Sequence, residues 1–99
     1  MAYTIVIKDP AKEDMQAAYD HYEKESKGLG EDFLIKLLKR FDDLEDHPHH
    51  YGYIDDQNII RDVKLKKFPY VIIFEIIVKE VIVYSVHCTS KDPQKRLRR

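Results

Sequence analysis

The chain has one cysteine, Cys88, so no intramolecular disulfide can staple it, and its thiol content makes no case for an oxidising compartment. Glycine is scarce too, with three residues in all, and neither a P-loop nor a Gly-rich nucleotide turn nor zinc-finger spacing occurs. No apolar run approaches the roughly 20 residues that span a bilayer. The start, Met1-Ala2-Tyr3-Thr4-Ile5, lacks a basic segment followed by a long apolar one, so neither export nor membrane insertion is expected. Repeats and low-complexity segments are likewise missing. These absences leave a cytoplasmic protein without a membrane partner as the expectation. At 99 residues and 43% hydrophobic content, the chain suffices for one core and not for two, and 1–99 reads as a single domain.

What is present is uneven. The net charge is −1, yet Met1–Asn58 carries 7 Lys and Arg against 14 Asp and Glu, while Ile59–Arg99 carries 10 against 4. A basic second half fits an acidic partner, either nucleic acid or an acidic protein surface. It equally fits acidic helices and basic sheet edges placed for solubility and against edge pairing.

The most apolar stretch, Phe68 to Val78, predicts a central strand. Tyr70, Ile72, Phe74, Ile76 and Val78 alternate with Val71, Ile73, Glu75 and Ile77, and a strand apolar on both sides calls for cover on both faces. Pro69, which has no amide hydrogen for a ladder, belongs at its start. The polar break Lys79-Glu80 before Val81–His87 predicts an antiparallel hairpin. Upstream, Tyr3–Lys8 reads as a short strand, and Asp9-Pro10 as the N-cap and first position of a helix whose stripe is Ala11, Met15, Ala18, Tyr19 and Tyr22. Gly28 and Gly30 break the pattern. Phe33, Leu34, Leu37, Leu38, Phe41 and Leu44 then form a second stripe, stopped by Pro48. His47–Asn58 reads as a loop, and Ile59–Phe68 as a strand. The predicted class is α+β, in the order β-α-α-β-β-β, with a helical hairpin packed on a mainly antiparallel sheet.

Three clusters carry chemistry. His47, His49 and His50 with Asp55 and Asp56 have metal-binding side chains, but adjacent histidines in a Pro-containing loop do not impose tetrahedral geometry; no metal or other cofactor is expected. His87 and Cys88 are successive strand residues and point to opposite faces, which excludes a Cys-His pair and leaves His87 alone as an acid–base candidate or a turn-bonding structural histidine. Lys64 and Lys66 share a strand face, and Lys67, Lys91, Lys95, Arg96, Arg98 and Arg99 are expected to gather beside them. Such a cluster suits phosphates, an acidic protein or an acidic peptide.

The order and spacing of Ala11 and Asp14, Leu29-Gly30 and Phe33, Pro48 and Tyr51, Arg61, Phe68-Pro69-Tyr70, Phe74, Val86-His87 and Asp92-Pro93 resemble the RelE/ParE toxin family of bacterial toxin–antitoxin modules. The resemblance runs over nearly the whole chain. It implies a growth-inhibiting toxin encoded beside a small antitoxin that wraps a largely disordered segment around it, giving a hetero-oligomer. Members of the RelE branch cleave messenger RNA on the ribosome, and members of the ParE branch inhibit DNA gyrase. Under this resemblance the two strand lysines of RelE-like nucleases fall on Asp62 and Lys64, their arginines on Val71 and Thr89, and their C-terminal tyrosine on Lys95. Only Lys64 is retained, and the ammonium of Lys91 lacks the bidentate fork of a lost arginine.

Arg61, Phe68-Pro69-Tyr70 and His87 look closer to the ParE branch, although Thr89-Ser90 stand where ParE-like chains commonly carry arginines. The resemblance therefore implies a binding toxin with Arg61, Lys64, Lys66, Lys91, Lys95 and Arg96 at its target or antitoxin surface. The alternatives are a ribosome-dependent endoribonuclease with His87, Lys64 and Arg61 as catalytic candidates, and a degenerate member that only binds antitoxin.

Overall fold

The computed structural model describes residues 2–89. The elements are β1 (Thr4–Ile7), α1 (Asp9–Glu25), α2 (Leu29–Asp46), a 3-10 turn (Pro48–His50), β2 (Ile60–Lys64), β3 (Tyr70–Ile77) and β4 (Glu80–Cys88). The predicted α+β class and element order hold. The sheet runs β1-β4-β3-β2, antiparallel through β2, β3 and β4, with β1 parallel to β4 in the register Thr4↔Glu80 to Ile7↔Val83.

Both helices cover one face of that sheet. Ala11 and Ala18 of α1 and Phe33, Leu37, Phe41 and Leu44 of α2 form one buried cluster with Val63, Ile72, Phe74, Val81, Val83 and Val86. The small alanines let α1 approach closely. Val83 and Val86 can both reach the core because the β3–β4 register steps from Ile73↔Ser85 to Phe74↔Val83, making Tyr84 the extra residue of a bulge.

The other face corrects an expectation. No described element packs on it, and β3 shows there Ile73 and Glu75, half-buried, and Ile77, exposed. Val71 and Ile82 are buried on this side without belonging to the main cluster. Ile82 lies between Val6 and Glu75, next to a 2.7 Å bond from the Tyr84 hydroxyl to Glu75 Oε1.

Several boundaries also move. Lys8, not Asp9, is the N-cap of α1, and Asp9 is its first residue. Gly28 adopts the left-handed conformation (φ 89°), but Gly30 lies inside the first turn of α2, where a Cβ would come within 2.8 Å of Glu23 Oε1 and 2.9 Å of the Tyr19 carbonyl. Glu23 reaches from α1 to accept hydrogen bonds from the Gly28 and Gly30 amides, both 2.9 Å. Those are two of the free amides at a helix start, satisfied from the neighbouring helix because Gly28 has no side chain to cap them. Val78 leaves the predicted strand and forms, with Lys79, the two-residue hairpin turn at φ 55°. β2 ends at Lys64, so Lys66 and Lys67 lie in the β2–β3 connection and not on a strand face.

Candidate target-binding surface

The open sheet face near the β2–β3 connection holds two of the predicted residues in one row. Lys64 pairs with Val71, and Val71 with His87, so Lys64 and His87 flank an aliphatic side chain on the same face. Strand spacing puts their backbones roughly 10 Å apart. Both are exposed, and Ser85 Oγ stands 3.4 Å from His87 Nδ1. The next row is Asp62, Ile73 and Ser85, and Glu75 follows. This face therefore mixes Asp62 and Glu75 with Lys64.

Among the described residues, a concentration of cations lies around the corner. Lys36, Lys39 and Arg40 of α2 line a groove of about 200 Å³ with Asp43 and Lys66. Arg40 donates from Nε to the Lys64 carbonyl (2.8 Å) and from Nη1 to Asp43 (3.1 Å), which ties α2 to the end of β2. Asp32 accepts from both Lys36 and Lys67, and these ammonium groups hold its carboxyl below the usual carboxylate range. Lys39, Lys64 and Lys66 form no ion pair with any described residue. The α2 contribution was hidden in the sequence by the acidity of the first half. Its signal was the spacing of Lys36, Lys39 and Arg40, which puts three cations on one helix flank.

An aromatic cluster of Tyr22, Phe33, Phe68 and Tyr70 backs this end, with Tyr22–Phe68 and Phe33–Tyr70 centroids 4.9 and 5.2 Å apart. Burial pushes the Tyr70 phenol up to about 12 and raises that of Tyr22. From α1, Asp14 accepts the Val86 amide at 3.0 Å, occupying β4 beyond the reach of the short β1.

Arg61 belongs elsewhere. It faces the helix side of the sheet opposite Phe74 and is 9% exposed. Its guanidinium donates to the Tyr51 carbonyl (2.6 Å) and the Tyr53 hydroxyl (2.7 Å) and lies 4.0 Å from the Tyr53 ring centroid. Both of these hydrogen-bond partners are neutral groups. Asp55 shapes the same loop by accepting the Ile59 and Ile60 amides (2.9 and 3.0 Å), bonds that lower its carboxyl from the ordinary value. The histidines of this loop diverge: His47 stacks on His50 at 4.7 Å, and His49 meets Tyr3. No group of three metal-binding side chains occurs among the described residues. Lys91, Lys95 and Arg96 lie outside them.

A small antiparallel meander with a parallel first strand, covered on one face by a helical hairpin and open on the other, is the architecture of the small toxins of bacterial toxin–antitoxin modules. The family model for the ParE toxin of the type II toxin–antitoxin system parDE matches residues 5–93, and the chain belongs to that family. In fold it is similar to a structure of the chromosomal ParDE toxin–antitoxin system from P. aeruginosa (TM-score 0.78, 16% identity, covering 90% of this chain and 98% of that one). It is also similar to one from the toxin–antitoxin complex RelBE2 of Mycobacterium tuberculosis (TM-score 0.64, 16% identity, covering 90% and 100%). No curated protein matches the sequence.

Proposed function

We propose that this chain acts in the cytoplasm as a ParE-like toxin that inhibits growth by binding a target such as DNA gyrase, and that a cognate antitoxin neutralises it. The observation that supports binding over RNA cleavage is the Lys64–Val71–His87 row. A metal-free cleavage site needs cations converging on one phosphate and a proton-transfer group within hydrogen-bond reach. Here an aliphatic side chain separates the two candidates, and Asp62 adds negative charge beside Lys64. The contact surface of the proposed toxin is the groove of Lys36, Lys39, Arg40 and Lys66 together with Lys64.

Antitoxin binding has a second site to draw on. A groove of about 340 Å³ between the helices is lined by Met15, Tyr19 and Leu34, and Ile35 and Leu38 stand exposed on α2. Such an apolar trough between polar rims suits the apolar face of an amphipathic helix.

Induced expression in a bacterial host tests the reading, with growth followed beside a gyrase supercoiling assay and mapping of messenger RNA ends. Growth arrest with inhibited gyrase and intact messages is expected. Arrest with new cleavage sites in translated messages would overturn binding in favour of a nuclease centred on His87 and Lys64. Unaffected growth without antitoxin would leave a degenerate, antitoxin-binding member.

A further inference from the structure

Among the described residues, five of the seven large hydrophobic side chains that stand exposed crowd one end of the molecule, at the β3–β4 turn and the loop before β2: Tyr53, Ile54, Ile59, Ile77 and Val78. Val78 is 87% exposed and holds a left-handed backbone, φ 55°, which a β-branched residue adopts only under strain. A turn built for folding alone would place Gly or Asn there. The strained residue instead presents the most exposed apolar side chain of the described protein.

Beside this rim opens a groove of about 300 Å³ to which Arg61, Asn58 and His49 contribute. The Arg61 guanidinium is buried, and both its described hydrogen-bond partners are neutral. A cation taken out of water with no counter-charge is compensated best by a carboxylate arriving from outside. Glu75 also borders the groove, but it forms no ion pair with Arg61, and its Oε1 is held by Tyr84. Apolar side chains beside a buried arginine are what the centre of a protein interface presents.

We propose that this end of the sheet docks a partner polypeptide through an aliphatic side chain set beside a carboxylate, the aliphatic group lying on Ile59 and Val78 and the carboxylate meeting Arg61. The proposal stands apart from the Lys64 end and does not depend on which target the toxin binds. The apolar rim disfavours a nucleic-acid backbone in this place.

The test uses the full chain, ¹⁵N-labelled, and the probe 4-methylpentanoate, with 4-methylpentanamide as its neutral twin and inorganic phosphate as a third titrant. Saturable shifts are expected at the Arg61 side-chain Nε–H and at the Tyr53, Ile59 and Val78 amides, with the carboxylate binding about tenfold more tightly than the amide. Val78→Asp, a substitution at an exposed turn position, should abolish the shifts while leaving the remaining spectrum in place. Equal affinity for acid and amide, tighter binding of phosphate at the same resonances, or no saturable response to the carboxylate would each overturn the proposal. Sedimentation of the unliganded chain supplies the remaining check: a dimer that Val78→Asp dissociates would assign the patch to a second copy of this chain and overturn it as well.

Discussion

The two ends of β2 carry positive charge in opposite ways. Arg61 is buried on the helix side of the sheet and held by a carbonyl and a phenol, whereas Lys64, three residues on, points from the open face with no ionic partner among the described residues. Around Arg61 stand exposed apolar side chains with His49 and Asn58; around Lys64 stand ammonium and guanidinium groups with Asp43 and Asp62. One strand thus serves two surfaces of different chemistry, because an odd residue offset reverses the face of the sheet. The lesson is that a count of basic residues in this half of the chain does not describe one basic site.

The contrast is tested hardest by Arg61→Ala. It should cost about 2–4 kcal/mol, since charge-assisted bonds to Tyr51 and Tyr53 are lost and the loop they hold is released. Urea unfolding measures this, and Arg61→Met, which keeps most of the stem's packing, should recover part of the loss. A cost below about 0.5 kcal/mol would show that Arg61 is no anchor. At the opposite end of the sheet the anchor is Asp14. Asp14→Ala should cost about 1–3 kcal/mol by leaving the half-buried Val86 amide unmet, and hydrogen exchange at Val86 should rise first.

Extremes of pH should separate the ends as well. The Asp55 carboxyl is lowered in the fold, so its contribution is present above the unfolded value near 4 and fades as pH falls through the folded one, loosening the loop at the Arg61 end. Asp32 releases Lys67 and Lys36 over a similar range, but these are outward pairs that salt already screens. The Tyr70 phenol is pushed up to about 12, so its contribution is complete below about 10 and is lost as pH rises from there. Amide exchange should therefore accelerate first near Ile59 in acid and first near Tyr70 in alkali. The reverse order would remove the assignment. The smallest expected effect is on stability in Lys64→Ala, within about 0.5 kcal/mol, with any consequence appearing in target binding alone.

Much of this architecture was legible in the sequence. The two helical stripes, the apolar β3 and the polar break before β4 produce the predicted elements in the predicted order, because periodicity reports which face is buried. Periodicity could not show that the second face of β3 stays without a covering element, since Val71 and Ile73 look the same whether a neighbour or solvent stands over them. Nor could it place Val78, whose β-branched side chain argues for strand while its backbone makes the turn. The surface was harder to read. Lys64 stays on a strand face, but Lys66 joined a groove with α2 residues 26 to 30 positions earlier, a proximity created only by the packing of α2 against the end of β2. The neutral partners of Arg61 were not readable, because they come from a loop with no period.

The parallel pairing of β1 with β4 has a consequence for how the protein comes into being. β1 leaves the ribosome well before its ladder partner, Glu80–Val83. Until those residues emerge, Ile5 and Ile7 have no sheet to join, and the helical hairpin has only fragments of its floor. Contacts so distant along the chain slow folding. A nascent chain that stalls before Val83 therefore carries both helices and no finished sheet, and the surfaces at either end of β2 come into existence together, late, and only on the whole molecule.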